Sequence, residues 1–296
     1  MQPVFTLPSF AKINWSLRVL AKRDDGFHEL CTVFQTVSLH DTMCFAESNT
    51  LELTCDDPNV PTDDRNLINK AARALQKMTG TTRGAAIRLE KRIPSPGGLG
   101  GGSSNAAVTL IGLKRLWQLE VSDRDLHTIA AEIGSDVPFF LSGGTAVGTG
   151  RGEIVEPIAD TTAQAMLIVT PNVQVVTRDA FAGITVPSLT PEAQKRNLTV
   201  CRKEAESFDL SHSVLINDFE VSLFSAYPEI KRVKDTLLKL GAVKAAMSGS
   251  GASVFAIFDK QETRQAAIKA LDHESTWRKF AVATISRDQY REALMC

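Results

Sequence analysis

Residues 94–107 read Pro94-Ser95-Pro96-Gly97-Gly98-Leu99-Gly100-Gly101-Gly102-Ser103-Ser104-Asn105-Ala106-Ala107, with glycine at five of the six positions from Gly97 to Gly102. Before them, residues Ala85 to Lys91 have the pattern of a strand. After them, Ala106, Ala107, Leu110, Leu113 and Leu116 fall on one helical face. A strand, a glycine turn and a helix start together make an anion site. Glycine lets the backbone turn sharply and bring its N–H groups close to a phosphate. The helix adds unpaired N–H donors and the positive end of its dipole. Ser103 and Ser104 are expected at the helix start, where a hydroxyl can cap the helix, touch a phosphate or help hold a metal.

The loop lacks the Gly-Lys-Ser/Thr ending of a Walker A motif. It also has Ser103 where a dinucleotide fingerprint counted from Gly98 and Gly100 needs its third glycine. A flexible linker is not bracketed by a strand and an amphipathic helix.

At 296 residues the chain is long enough for about two domains. A 43% hydrophobic, 23% charged composition points away from disorder. The net charge of −1 lacks the basic surplus of a general nucleic-acid binder, so any phosphate handled is expected on a small molecule. The five cysteines, Cys31, Cys44, Cys55, Cys201 and Cys296, form no Cys-x-x-Cys pair. That argues against a disulfide framework or a zinc site and for reduced thiols in a cytoplasmic setting. Residues 1–5 do not open a signal peptide, and no apolar run approaches a membrane span.

Phe10 to Ala21 is expected to be a strand with Lys12 and Asn14 on one face. Arg23-Asp24-Asp25-Gly26 is turn chemistry, and separate strands are expected over 31–39, 41–46 and 50–55. Asp63 or Asp64 is placed to cap a helix running to Met78. Ser122 to Asp125 forms a capping box for the next helix, which Gly134 ends. Asp136 follows directly, in Gly134-Ser135-Asp136-Val137-Pro138-Phe139-Phe140. A boundary is expected near 158–165, giving domains 1–160 and 161–296. In the second half, a helix begins near Thr177, residues 187–203 read as an exposed loop, and helices follow over 217–220 onward, 228–240 and 261–273. Met247-Ser248-Gly249-Ser250-Gly251-Ala252 is a second glycine loop ahead of a strand over 253–258.

Phosphoryl transfer needs a phosphate cradle, cations against developing charge, and a group that orients or deprotonates the acceptor hydroxyl. The first loop offers the cradle, Lys12 a cation and Asp136 a base. Taken singly, Lys12 also fits a solvated strand end, Asp136 a helix-end turn, and Phe27 and Phe181 core positions.

Three separated stretches, Ala11-Lys12-Ile13-Asn14, Pro94 to Ala107 and Met247 to Ala252, together resemble the GHMP kinase superfamily of small-molecule kinases. The opening through Arg23-Asp24-Asp25-Gly26-Phe27-His28 is most similar to its branch acting on a cytidine diphospho-sugar alcohol of the non-mevalonate isoprenoid route. The resemblance implies an α+β fold of two domains. The N-terminal one is ribosomal-protein-like with a left-handed βαβ unit, and the C-terminal one is ferredoxin-like. It implies ATP-dependent phosphorylation of the substrate's 2-hydroxyl with Mg²⁺, by a cytoplasmic monomer or weak homodimer.

By the same resemblance, Lys12 and Asp136 are the catalytic pair. Pro94, Ser95, Pro96, Gly97, Gly98, Leu99, Gly100, Gly101, Gly102, Ser103 and Ser104 hold ATP, with Asn66 and Lys91 near the adenine. Phe27 and Phe181 sandwich the cytosine, and His28 reads its edge. Asn14 and Thr177 contact substrate, and Ser248, Gly249, Ser250 and Gly251 close the site. Phe27 stands where the family usually has Tyr, which keeps the stacking face and drops the phenol. Trp15 stands in place of Leu, with its bulk expected at the pocket floor. Pro96 replaces a small residue and removes one N–H. A dinucleotide-dependent oxidoreductase is disfavoured by Ser103 and by the lack of repeated βα units. An RNA-binding module is disfavoured by the net charge.

Overall fold

The computed structural model describes residues 5–184 and 190–295. Strands β1 (Phe5–Lys22) and β2 (His28–Ser48) form one long antiparallel hairpin, with register from Phe5↔Phe45 to Lys22↔His28. The stretches expected as two strands over 31–39 and 41–46 are one strand. A register slip opposite Phe10/Ala11 bends it, and the hydrophobic alternation shifts with the bend. Next come β3 (Leu51–Cys55), α1 (Leu67–Thr79) and β4 (Gly84–Glu90), with β3 and β4 parallel across the helix. Asn66, not Asp63 or Asp64, caps α1, its Oδ1 accepting from Ile68 N at 2.9 Å. The Asp63 carboxylate is instead taken by Arg65.

Helices α2 (Gly101–Leu116), α3 (Asp123–Ile133) and α4 (Phe139–Ser142) lead into the hairpin β5 (Thr145–Gly150) and β6 (Ile154–Pro157). The free edge of β2 serves two partners: residues 30–35 pair with β5 and residues 42–48 with β4. The gap between those partners is where β2 bends. The apolar faces of α1, α2 and α3 close over the sheet around Phe45, Leu75, Leu110 and Ile129.

The second half runs β7 (Met166–Thr170), α5 (Thr177–Ala182), α6 (Pro191–Glu206), β8 (Ile216–Asn217), α7 (Phe219–Ala226), α8 (Pro228–Lys239), β9 (Lys244–Met247), β10 (Val254–Ile257), α9 (Gln261–Ala270), β11 (Arg278–Val282) and α10 (Arg287–Met295). Its sheet is antiparallel in the order β11-β7-β10-β9, the order of a ferredoxin-like unit. The two-domain α+β architecture expected from the sequence is therefore present.

Two elements depart from expectation. The stretch read as an exposed loop over 187–203 carries α6; residues 187–189 lie outside the described residues, as do residues 1–4 and Cys296. Thr190 caps it by accepting from Ala193 N, Pro191 fills the first turn, and the buried Cys201 and Ala205 are its few anchors. Such sparse apolar content reads as loop by periodicity alone. The C-terminal helix α10 has no counterpart in the expected elements. It returns to the first core, where Tyr290 is fully buried and donates through its hydroxyl to Phe140 O. No helix among the described residues is long and apolar enough to cross a membrane.

Candidate active site

The glycine loop links β4 to α2. Helix α2 starts at Gly101, two residues before Ser103, so the last glycines of the run are helical. Gly100 is the N-cap with φ +69°, and no side chain caps this helix, unlike α1 and α3. The first intrahelical bond runs from Ser104 N to Gly100 O, which leaves the N–H groups of Gly101, Gly102 and Ser103 for a ligand. Gly100 has a packing reason as well. A Cβ there would lie 2.9 Å from both Lys12 Cγ and Phe140 Cζ.

Lys12 lies on β1 beneath this loop, with its backbone N donating to Leu99 O at 2.9 Å. Its Nζ donates to Asn14 Oδ1 at 2.8 Å and sits 3.4 Å from Asp136 Oδ2. Both line the cavity, the lysine buried and the Asp136 side chain 32% exposed, so the carboxylate is the more open of the two. Asp136 occupies the turn between α3 and α4, closed by Val137 N to Gly134 O. Asn14 Nδ2 donates to Thr32 Oγ1, which in turn donates to Ser16 O. An Asn carries two N–H donors, so one remains free.

The second glycine loop arrives from the ferredoxin-like half and interlocks with the first. Ser248 Oγ donates to Gly98 O at 2.9 Å, and Gly249 N donates to Asn14 Oδ1 at 2.9 Å. A Cβ on Gly98 would fall 2.1 Å from Ser248 O, and φ there is +71°. Thr177 Oγ1 and Ser250 Oγ meet at 3.1 Å beside this contact.

Phe27, His28 and Phe181 line the far end of the same cavity. Phe181 stacks on His28 at 5.2 Å between ring centres and meets Phe219 edge-on at 4.8 Å. Phe27 is 52% exposed, with the Arg151 guanidinium 4.9 Å from its ring centre. Burial, and then the charge of Lys22, hold His28 below the ordinary histidine range. The cavity has a volume of about 810 Å³. Its charged lining comprises Lys12, Lys22, Arg151 and Arg178 against the single carboxylate Asp136, which suits a polyanionic ligand.

Five residues singled out in the sequence are not in the cavity lining: the buried Ser248, already placed against Gly98, and the four that follow. Ser104 is buried, its Oγ 2.8 Å from Ser9 Oγ, while Ser103 lines the cavity. Lys91 is buried in an ion pair with Asp41 at 2.8 Å, and the same carboxylate accepts from Arg92 N and Ile93 N. Asn66 spends its amide on Ile68 N and Pro61 O, and Leu67 beside it lines the cavity instead. Trp15, expected at the pocket floor, points to the opposite face of β1. There it stacks on Phe208, meets Phe255 edge-on, and donates to Gln35 Oε1. Side chains alternate along a strand, so Lys12 and Asn14 facing the cavity put Trp15 away from it. Nothing in the local sequence marks Arg151, Lys22 or Thr32. Only the hairpin pairings bring them to the site.

Family models agree with this geometry. The N-terminal GHMP kinase domain matches residues 66–144 and the C-terminal GHMP kinase domain matches residues 202–275. The chain is 39% identical over 269 residues to the 4-diphosphocytidyl-2-C-methyl-D-erythritol kinase of Thermodesulfovibrio yellowstonii, covering 90% of this chain and 94% of that protein. It is 40% identical over 275 residues to the kinase of the same name from Chlorobium limicola, covering 90% and 93%. A crystal structure of 4-(cytidine 5'-diphospho)-2C-methyl-D-erythritol kinase superposes with a TM-score of 0.76 at 30% identity, covering 95% of this chain and 99% of the other. Homoserine kinase from Cytophaga hutchinsonii shares the fold, with a TM-score of 0.68 at 20% identity over 98% of both chains. With the two glycine loops, the buried lysine and the relatives in agreement, the chain belongs to the GHMP kinases, in the family of the 4-diphosphocytidyl-2-C-methyl-D-erythritol kinases.

Proposed function

We propose that the protein transfers the γ-phosphoryl group of ATP to the 2-hydroxyl of 4-diphosphocytidyl-2-C-methyl-D-erythritol, a step toward isoprenoid precursors by the non-mevalonate route. One observation carries the reading beyond the family name. A single cavity joins the uncapped start of α2, the Lys12–Asp136 pair and the Phe27, His28 and Phe181 rings. The helix start suits the nucleotide phosphates, the pair suits the reacting hydroxyl, and the rings suit a base.

The free N–H groups of Gly101, Gly102 and Ser103 bind phosphate oxygens without a side chain in the way. Asp136 accepts a hydrogen bond from the acceptor hydroxyl and holds its oxygen in line with the phosphorus. In a loose transition state this orientation matters as much as proton removal. The Lys12 ammonium has three donors. One goes to Asn14 and one faces Asp136, so the third is free for a phosphoryl oxygen. Its charge lies against the Asp136 carboxylate and offsets charge on the transferring group. The remaining Asn14 N–H is free for a substrate hydroxyl. Phe27 gives its exposed ring face to cytosine, and Phe181 gives the opposite face once His28, stacked on that ring here, turns to the base's edge, where the neutral imidazole offers one donor and one acceptor.

The oxygens here fit Mg²⁺ in the usual nucleotide-borne manner, with few protein ligands and several waters. Ser103 Oγ and Asp136 are the candidates, because Ser104 Oγ is taken by Ser9. When bound with the nucleotide, the ion neutralises the phosphate oxygens. ATP turnover with Mg²⁺ tests the reading, with the cytidyl acceptor compared with mevalonate, homoserine and no acceptor. Turnover confined to the cytidyl acceptor and lost in Asp136→Ala is expected. Preference for another alcohol would overturn the base-sandwich reading, and none with any acceptor would overturn the kinase reading.

A further inference from the structure

Resting on this kinase reading, we infer that Asn217 is a positioning residue that seats the second glycine loop against Asn14 and thereby holds Lys12. Asn217 lies on the two-residue strand β8, which pairs in parallel with β1 at Leu17. The pairing is stitched on by Asp218, whose N donates to Leu17 O and whose Oδ2 accepts from Val19 N. Asn217 is therefore fixed to the strand that carries Lys12 and Asn14.

Its buried side chain spends both amide hydrogens on the second loop. Nδ2 donates to Met247 O and to Gly249 O, each at 2.8 Å, while Oδ1 accepts from Phe219 N at 3.0 Å. Gly249 is thus held at both ends, its carbonyl by Asn217 and its N–H by Asn14 Oδ1. The same Oδ1 accepts from Lys12 Nζ. A Cβ on Gly249 would lie 3.1 Å from Lys12 Nζ and 2.8 Å from Gly98 O, so the glycine packs directly against the ammonium and the first loop. The line Asn217–Gly249–Asn14–Lys12–Asp136 is continuous, each link a hydrogen bond or ion pair given above. If Asn217 lets go, Gly249 is free to lift, Asn14 Oδ1 loses one of its two donors, and Lys12 loses the surface that confines it.

A side chain that merely capped α7 would act through Phe219 N alone. Asn217→Ser keeps an oxygen near that N–H and removes both amide donors to the loop, its shorter hydroxyl replacing at most one. Asn217→Asp keeps the shape and sets carboxylate oxygens against two carbonyls. Both are expected to lower kcat about tenfold, with KM for ATP and for the acceptor within about threefold. In an Asn14→Ala background, where the line is already cut, Asn217→Ser is expected to cost less than about twofold. Amide exchange in residues 246–252 of the free protein is expected to quicken in Asn217→Ser. Wild-type kcat in both variants, equal losses in both backgrounds, or unchanged exchange would overturn the inference. Exchange requires no substrate, so it decides the positioning role even if the wild-type protein fails to phosphorylate the cytidyl acceptor. That failure would count against the proposed function alone.

Discussion

Replacing Gly98 with alanine tests whether the two glycine loops must touch. Gly98 sits at φ +71°, where a Cβ costs about 1–2 kcal/mol. The added carbon would also lie 2.1 Å from Ser248 O, a backbone atom that cannot rotate away. To bring that contact to 3.0 Å, the shortest separation a real Cβ tolerates, the loops must part by roughly 1 Å. Parting breaks the bond from Ser248 Oγ to Gly98 O, which adds about 1 kcal/mol. The expected loss of stability is therefore about 2–3 kcal/mol, or a fall in Tm of about 3–5 °C for a chain of 296 residues. The expected loss of kcat is larger in proportion, about a hundredfold, because a displacement of about 1 Å at reacting groups costs that much. Thermal unfolding by circular dichroism and coupled ATP turnover read the two effects separately. Gly102→Ala is the control. Its Cβ would meet only Leu67 Cδ1 at 3.8 Å and its φ is helical, so stability is expected to rise by up to about 1 kcal/mol. If Gly98→Ala unfolded within about 1 °C of wild type and kept kcat within about threefold, the interlock would play no part in the working enzyme.

Two further outcomes follow from the placement of single side chains. Trp15→Leu is expected to lose about 2–4 kcal/mol in urea unfolding by emptying space beside Phe208 and Phe255. It is expected to leave the acceptor KM within about twofold, since the indole lies across the sheet from the cavity. His28 is expected to titrate below its ordinary value, which NMR of its ring proton checks directly, and Lys22→Gln is expected to move that titration upward. The unfolded chain takes up this proton at the higher pH. The stability His28 contributes is thus full above its unfolded pKa and lost as pH falls through the depressed folded one. The acceptor KM is expected to stay flat down to about pH 6.5 and rise below it; a rise beginning above that pH would refute the neutral-ring reading.

Backbone chemistry was the legible part of this sequence. The run from Gly97 to Gly102 announces a tight approach whatever packs around it, and the pairing of Lys12 with Asn14 follows from strand alternation alone. The Ser122 cap and the stop at Gly134 are equally local, and both hold. What local pattern did not carry was written in distant partners. The bend in β2 depends on β4 and β5 sharing its edge, so a strand of 21 residues reads as two. Helix α10 covers the first core from the far end of the chain, and its amphipathic signal is nine residues long.

The side chains that the structure engages away from the cavity share one cause. A polar residue near a phosphate loop serves a ligand only if its hydrogen-bonding capacity is not already spent. Ser104 meets Ser9 from 95 positions away, and Lys91 meets Asp41 from 50. Each of these partners is set by the sheet and invisible to a window of neighbours. Ser103, one residue from Ser104 and identical in type, keeps its place in the cavity because a helix turns about 100° per residue and carries it off the sheet face. The motif thus fixes where the uncapped helix start meets the cavity. The tertiary structure decides which of two adjacent serines faces the cavity and which holds the helix down. A Ser103→Ala and Ser104→Ala pair is expected to divide accordingly, the first moving the ATP KM and the second the Tm.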